Sequence, residues 1–86
     1  MRSAITRGFR EAFSKLPDPI RQQARRAYGL FRQNPSHPGL GFKKVDNENN
    51  TYSVRIGLGY RALGQLDGDC IVWFWIGPHA EYDRRL

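Results

Sequence analysis

The chain of 86 residues holds one cysteine, Cys70. A single thiol excludes an internal disulfide and any multi-cysteine metal site. Cys70 heads the apolar run CIVWFWI, where free cysteine behaves as a small buried hydrophobe rather than a nucleophile. Long apolar stretches are also missing, because this longest run falls far short of the roughly 20 residues that a membrane-spanning helix needs. Arg2, Arg7 and Arg10 are not followed by the apolar segment of a secretory signal, so the expected location is the cytosol. Carboxylates are scarce, with 8 Asp and Glu against 14 Lys and Arg. They form no cluster at metal-binding spacing, so neither a metal nor another cofactor is expected. No internal repeat or linker appears.

What is present is basic charge on a short chain. Residues 1–86 read as one domain, since about 100–200 residues is the usual span of one. So short a chain buries only about 60–65% of its unfolded surface, which favours a stabilising partner. The net charge is +6. It is concentrated in residues 1–43, where nine Lys and Arg face two Asp and Glu; residues 44–86 carry five against six. That bias fits a polyanion or an acidic protein partner, and equally a solvated helix face.

The basic half reads as helical. Phe9, Phe13 and Leu16 recur at helical spacing before Pro17. Asp18-Pro19 reads as an N-cap followed by proline at the first helical position. Ile20, Ala24, Ala27, Tyr28 and Phe31 then form an apolar stripe, with Arg21, Arg25 and Arg32 on the opposite face. Asn34-Pro35 ends that helix. The second half reads as strands: Leu40–Val45, Thr51–Gly57, Tyr60–Leu66 and Cys70–Ile76, with a tight hairpin at Asp67-Gly68-Asp69. A further strand at residues 3–6 is weakly signalled. The expected architecture is α+β, two N-terminal helices packed on a small antiparallel sheet of about four strands.

The chemistry-bearing residues lie on those strands. In TYSVRI, Tyr52, Val54 and Ile56 alternate with Ser53 and Arg55; beyond Gly57-Leu58-Gly59, Arg61 shares a face with Leu63. Arg55 and Arg61 can therefore meet on adjacent strands, and guanidinium groups at fixed spacing suit phosphate oxygens. One of Lys43 and Lys44 must point to the same face. His79 follows the last strand directly and can act as a general acid or base near neutrality. Glu81 and Tyr82 follow it. Glu81 can serve as a base or fix the His79 tautomer, or pair with Arg84 or Arg85. Tyr82 can stack on a base, orient a phosphate or cover the core edge. Trp73 and Trp75 read as core, and His37, in NPSHPGL, as a loop or packing residue.

Taken in order, the basic helical pair, NPSHPGLGFKKV, YSVRIGLGYRAL and IVWFWIGPHAEYDRRL resemble a toxin of the RelE/ParE superfamily of type II toxin–antitoxin modules, in its RelE- and HigB-like branches. The resemblance covers the chain from about Phe9 onward. It implies a small antiparallel sheet under two helices, and metal-independent cleavage of mRNA, commonly on the ribosome. It also implies silencing by a cognate antitoxin, with a monomeric toxin inside a heteromeric complex. Residue by residue it implies phosphate binding at Arg61, a basic position at Arg55, a catalytic lysine at Lys43 or Lys44, and roles for His79 and Tyr82; Glu81 or Lys43 would be the proton-transfer group complementary to His79. Lys44 would contact RNA, and Arg21, Arg25 and Arg32 would contact ribosomal RNA phosphates or acidic antitoxin residues. The branch that acts on DNA gyrase shares the fold, so a non-catalytic toxin is the alternative. A degenerate member that only binds antitoxin or nucleic acid is the other.

Overall fold

Thr6 begins the first helix by capping it. In the computed structural model, which describes residues 1–85, the Thr6 hydroxyl accepts a hydrogen bond from the Phe9 N–H at 3.0 Å. That satisfies one of the donors a helix start leaves open. The helix α1 (Arg7–Ser14) follows a short strand, β1 (Arg2–Ile5). The second helix, α2 (Asp18–Gln33), starts one residue earlier than Asp18-Pro19 predicts: Pro17 stands at the cap without a side-chain bond. Asp18 lies inside the first turn and pairs with Arg21 instead. A carboxylate there still favours the helix, because it faces the positive end of the dipole.

Beyond α2, a single 3₁₀ turn (Pro38–Leu40) takes the place of the first half of the strand expected from Leu40. Gly41 ends it in a left-handed conformation, φ +55°, so extended backbone begins only at β2 (Lys43–Asp46). The strands β3 (Thr51–Ile56), β4 (Tyr60–Asp67) and β5 (Cys70–Pro78) follow, and a third helix, α3 (His79–Arg85), closes the chain's described part. The sheet order is β1-β5-β4-β3-β2. The pairs from β2 to β5 are antiparallel, whereas β1 runs parallel to β5. The sheet therefore has five strands and is mixed: the weakly signalled strand near residues 3–6 forms as β1 and adds a parallel edge to the four expected strands. The extra edge is four residues long and pairs with a strand some 68 positions away, Arg2 against Cys70, so no local hairpin announces it.

The two faces of the sheet bury separate cores. On one, Val54, Ile56, Ala62, Ile71 and Trp73 meet Leu16, Ala24 and Phe31 from the helical segment. Phe31 stands edge-on to Trp73 with ring centroids 5.4 Å apart. On the other face a smaller cluster joins Leu63 and Trp75 to Tyr82 of α3. A bulge divides the tryptophans between them. The β4–β5 register passes from Leu63 opposite Trp75 to Gly64 opposite Trp73, which leaves Phe74 as the extra residue. An extra residue inverts the alternation of a strand, so Trp73 faces α1 and α2 while Trp75 faces α3. Both are buried, as the apolar run predicts.

Candidate functional site

The β3–β4 hairpin sets the geometry. Ile56 pairs with Tyr60 across Gly57-Leu58-Gly59, and the next pair is Arg55 opposite Arg61. Gly57 supplies the positive φ, +59°, that this turn requires. The alternation that buries Val54 and Ile56 under the helices sends both arginines to the face away from α1 and α2. Like charges directly opposite across an antiparallel pair repel, so the arrangement carries a cost that a bound anion would remove.

The two side chains lean to different neighbours. The Arg55 guanidinium reaches the carbonyl of Pro38, donating from Nη2 at 3.5 Å. Arg61 lies over Tyr82, its guanidinium carbon 6.0 Å from the ring centroid, and donates to the Tyr60 carbonyl at 3.1 Å. Tyr82 is buried, and its hydroxyl meets the Ser53 hydroxyl at 3.5 Å. It is thus a support under the arginine rather than a displayed stacking surface.

His79 opens α3 beside this pair. Its backbone N–H donates to the Gly59 carbonyl at 2.8 Å, which ties the helix start to the hairpin tip. Its ring stacks on Tyr82, centroids 5.7 Å apart. Nε2 lies 3.5 Å from the Asp83 carboxylate, one helical turn on. Glu81 does not take that place: two residues along a helix turn a side chain by roughly 200° from His79. Asp83 is the acidic neighbour that sequence reasoning missed. The signal was its spacing of four from His79, which becomes meaningful once the tail is helical. Ser53, which the strand alternation puts on the Arg55 face, is brought to the Tyr82 hydroxyl only by the fold.

The lysines separate. Lys43 is opposite Ser53, on the face with Arg55 and Arg61, while Lys44 is opposite Tyr52 and lies over its ring on the helix side. Arg21, Arg25 and Arg32 also belong to the helix layer and are not brought to the arginine pair. Arg21 is engaged with Asp18 and the Ser14 carbonyl, Arg25 covers the Phe13 ring, and Arg32 covers Tyr28. His37 holds its own turn, its Nδ1 accepting from the Gly39 N–H at 3.0 Å.

Toward the other end of the face that carries Arg55 and Arg61, a cleft of about 390 Å³ lies among Asp46, Gln65, Phe74 and Arg85. Among the described residues no group of three or more His, Cys, Asp or Glu side chains gathers to hold a metal ion. The fold brings Arg55, Arg61 and Lys43 to one face of the sheet with His79 at its edge, cations and an imidazole of the kinds that phosphate binding and proton transfer use.

A family model described as the ParE-like toxin domain matches residues 18–84. Among solved structures, the fold is shared with a chain of the RelB–RelE antitoxin–toxin complex from Methanococcus jannaschii. That match has a TM-score of 0.77 at 19% identity, covering 96% of this chain and 98% of the other. The RelBE2 toxin–antitoxin complex from Mycobacterium tuberculosis gives a TM-score of 0.71 at 24% identity, covering 91% and 96%. YafQ from E. coli strain BL21(DE3) gives 0.71 at 10% identity, covering 95% and 98%. No curated protein sequence matches the chain.

Proposed function

The chain belongs to the ParE-like toxin family, and we propose that it is the toxin of a toxin–antitoxin pair that cleaves RNA without a metal. The observation that carries this reading is the Arg55–Arg61 pair, directly opposed on the sheet face away from α1 and α2, with His79 at its edge.

Cleavage would proceed by attack of a ribose 2′-hydroxyl on the adjacent phosphorus. One group removes the 2′ proton; another protonates the departing 5′ oxygen, leaving a 2′,3′-cyclic phosphate and a 5′-hydroxyl. Arg55 and Arg61 stabilise the charge that builds on the phosphorane, the contribution that usually dominates such catalysis. His79 is one proton-transfer group, held by Tyr82 at its ring face and Asp83 at Nε2. Lys43 is the complementary cation, on the same face one strand further out. Tyr82 keeps Arg61 and His79 in place, and Glu81 takes no part. The cleft beside Phe74 and Arg85 receives the continuing strand.

Two of the similar structures are complexes of a toxin with its antitoxin. A cognate antitoxin is accordingly the expected protein partner here. An apolar groove of about 440 Å³, between α1, α2 and the sheet, supports that expectation. Phe9, Phe13, Tyr28 and Phe31 line it, and Arg10 and Arg25 flank it. Such a groove suits a segment with apolar and acidic side chains.

The test is growth after induction without antitoxin. Wild-type protein should arrest growth, and Arg61→Ala should lose about 10²–10³ in activity, the usual loss when one such donor is removed. Full toxicity of Arg61→Ala would remove the phosphate site from the account. Arrest with intact RNA and a DNA-damage response would select action on gyrase instead.

A further inference from the structure

We infer that Gly41 is a positioning residue for Arg55, its missing side chain leaving the space in which the guanidinium lies. This rests on the reading of Arg55 as a phosphate ligand. The observation behind it is a close approach. A Cβ at Gly41 would fall 2.7 Å from Arg55 Nε, 3.0 Å from Nη2 and 3.2 Å from Cζ. Real Cβ atoms essentially never come within 3.0 Å of another atom, so a side chain at residue 41 would force the Arg55 guanidinium to shift from where it lies.

The rest of the turn completes the seat. Pro38 directs its carbonyl at Arg55 Nη2, and that carbonyl also accepts from the Gly41 N–H at 3.3 Å. His37 fixes the turn from within through Nδ1 and the Gly39 N–H. Leu40, 1% exposed, anchors it in the core beneath. The turn thus presents one carbonyl, at a long 3.5 Å, and one bare Cα to an otherwise exposed arginine. Long side chains lose considerable freedom when they bind an anion. Holding Arg55 in advance lowers that loss.

Gly41→Ala should therefore act on the arginine more than on the fold. The atoms in the way are the far end of a flexible side chain, which can swing aside without disturbing the core. The left-handed backbone adds a strain that must be separated, and Gly68 provides the control. Gly68 has φ +62° in the β4–β5 turn, and a Cβ there would meet nothing within 4 Å. Gly68→Ala carries the same backbone penalty and touches no arginine. Asparagine tolerates the left-handed region, so Gly41→Asn relieves strain while still filling the space.

Two measurements on the intact chain test this. The first is ¹⁵N relaxation of the Arg55 side-chain Nε–H, assigned by its loss in Arg55→Lys. It should be as restrained as ordered backbone in wild type and in Gly68→Ala, and mobile in Gly41→Ala and Gly41→Asn. The second is affinity for a short 2′-O-methyl oligoribonucleotide, which keeps its phosphates and lacks the attacking hydroxyl. Gly41→Ala should weaken binding roughly ten-fold, as expected for one lost charge-assisted contact. It should add nothing in an Arg55→Ala background. The inference is overturned if Arg55 Nε–H is mobile in wild type, or if Gly68→Ala loosens it as much as Gly41→Ala. If the relaxation behaves as expected but neither Gly41→Ala nor Arg55→Ala alters affinity, Gly41 still positions Arg55. The phosphate-ligand reading of Arg55 is then what fails.

Discussion

The Arg61 guanidinium rests over the ring of Tyr82, 6.0 Å from its centroid, and the same ring stacks on His79 at 5.7 Å. One buried aromatic therefore holds the two groups that the mechanism needs fixed. Its hydroxyl reaches Ser53 only at 3.5 Å, a long contact. Tyr82→Phe should keep near-normal activity and lose no more than about 1 kcal/mol of stability. Tyr82→Ala should lose about 3–5 kcal/mol, as large-to-small aromatic changes in a core do, and most of the activity with it. Urea unfolding and RNA cleavage on the two variants check this.

The opposition of Arg55 and Arg61 makes a second prediction, with the opposite sign for stability and function. Like charges face each other across the β3–β4 pair. Replacing one by a neutral residue of similar length should relieve the repulsion. Arg55→Gln is expected to raise unfolding stability by about 0.2–1 kcal/mol at low salt while weakening RNA binding. Added salt should shrink that gain, because surface charges are screened over about 10 Å at 0.1 M. Calorimetry of both proteins across a salt series is the measurement.

Much of this corner was legible in the sequence, and the reasons are local. The alternation in TYSVRI and the Gly57-Leu58-Gly59 link were enough to place Arg55 and Arg61 on one face of adjacent strands. The helices were legible from the stripe through Ala24 and Phe31 and from Pro17 and Pro35. The bulge at Phe74 was not, because a run apolar on both faces gives no alternation to break. The strand β1 was signalled only weakly, at residues 3–6, because it is short and pairs with a distant strand. Seven residues with one buried side chain, Tyr82, carry too little periodicity to announce α3. Missing that helix is what put Glu81 beside His79 in place of Asp83.

Acid should loosen the edge strand. Arg2 binds the Asp69 carboxylate through Nε at 3.1 Å and Nη2 at 3.0 Å, tying β1 to the β4–β5 turn. Those hydrogen bonds, and the charge of Arg2, hold Asp69 below the usual carboxylate range. The side chain of Asn49 does the same for Asp46. A lowered carboxylate contributes stability above its unfolded pKa, about 3.9, and loses it as pH falls through the folded value. Stability should be flat on this account near neutrality and decline in acid. Asp69→Asn should flatten the decline, and the effect should be small because both partners are exposed. Thermal unfolding across pH, with hydrogen exchange at β1, reads it.

RNA cleavage at the Arg55–Arg61 corner would leave a chemical record on the cut ends. Mapping RNA ends after induction of wild type, His79→Ala and Arg61→Ala tests it most directly. New 5′-hydroxyl ends paired with 2′,3′-cyclic phosphates are expected in wild type, with their loss or steep reduction in both variants. Growth arrest by the wild-type protein with no new RNA ends would contradict it.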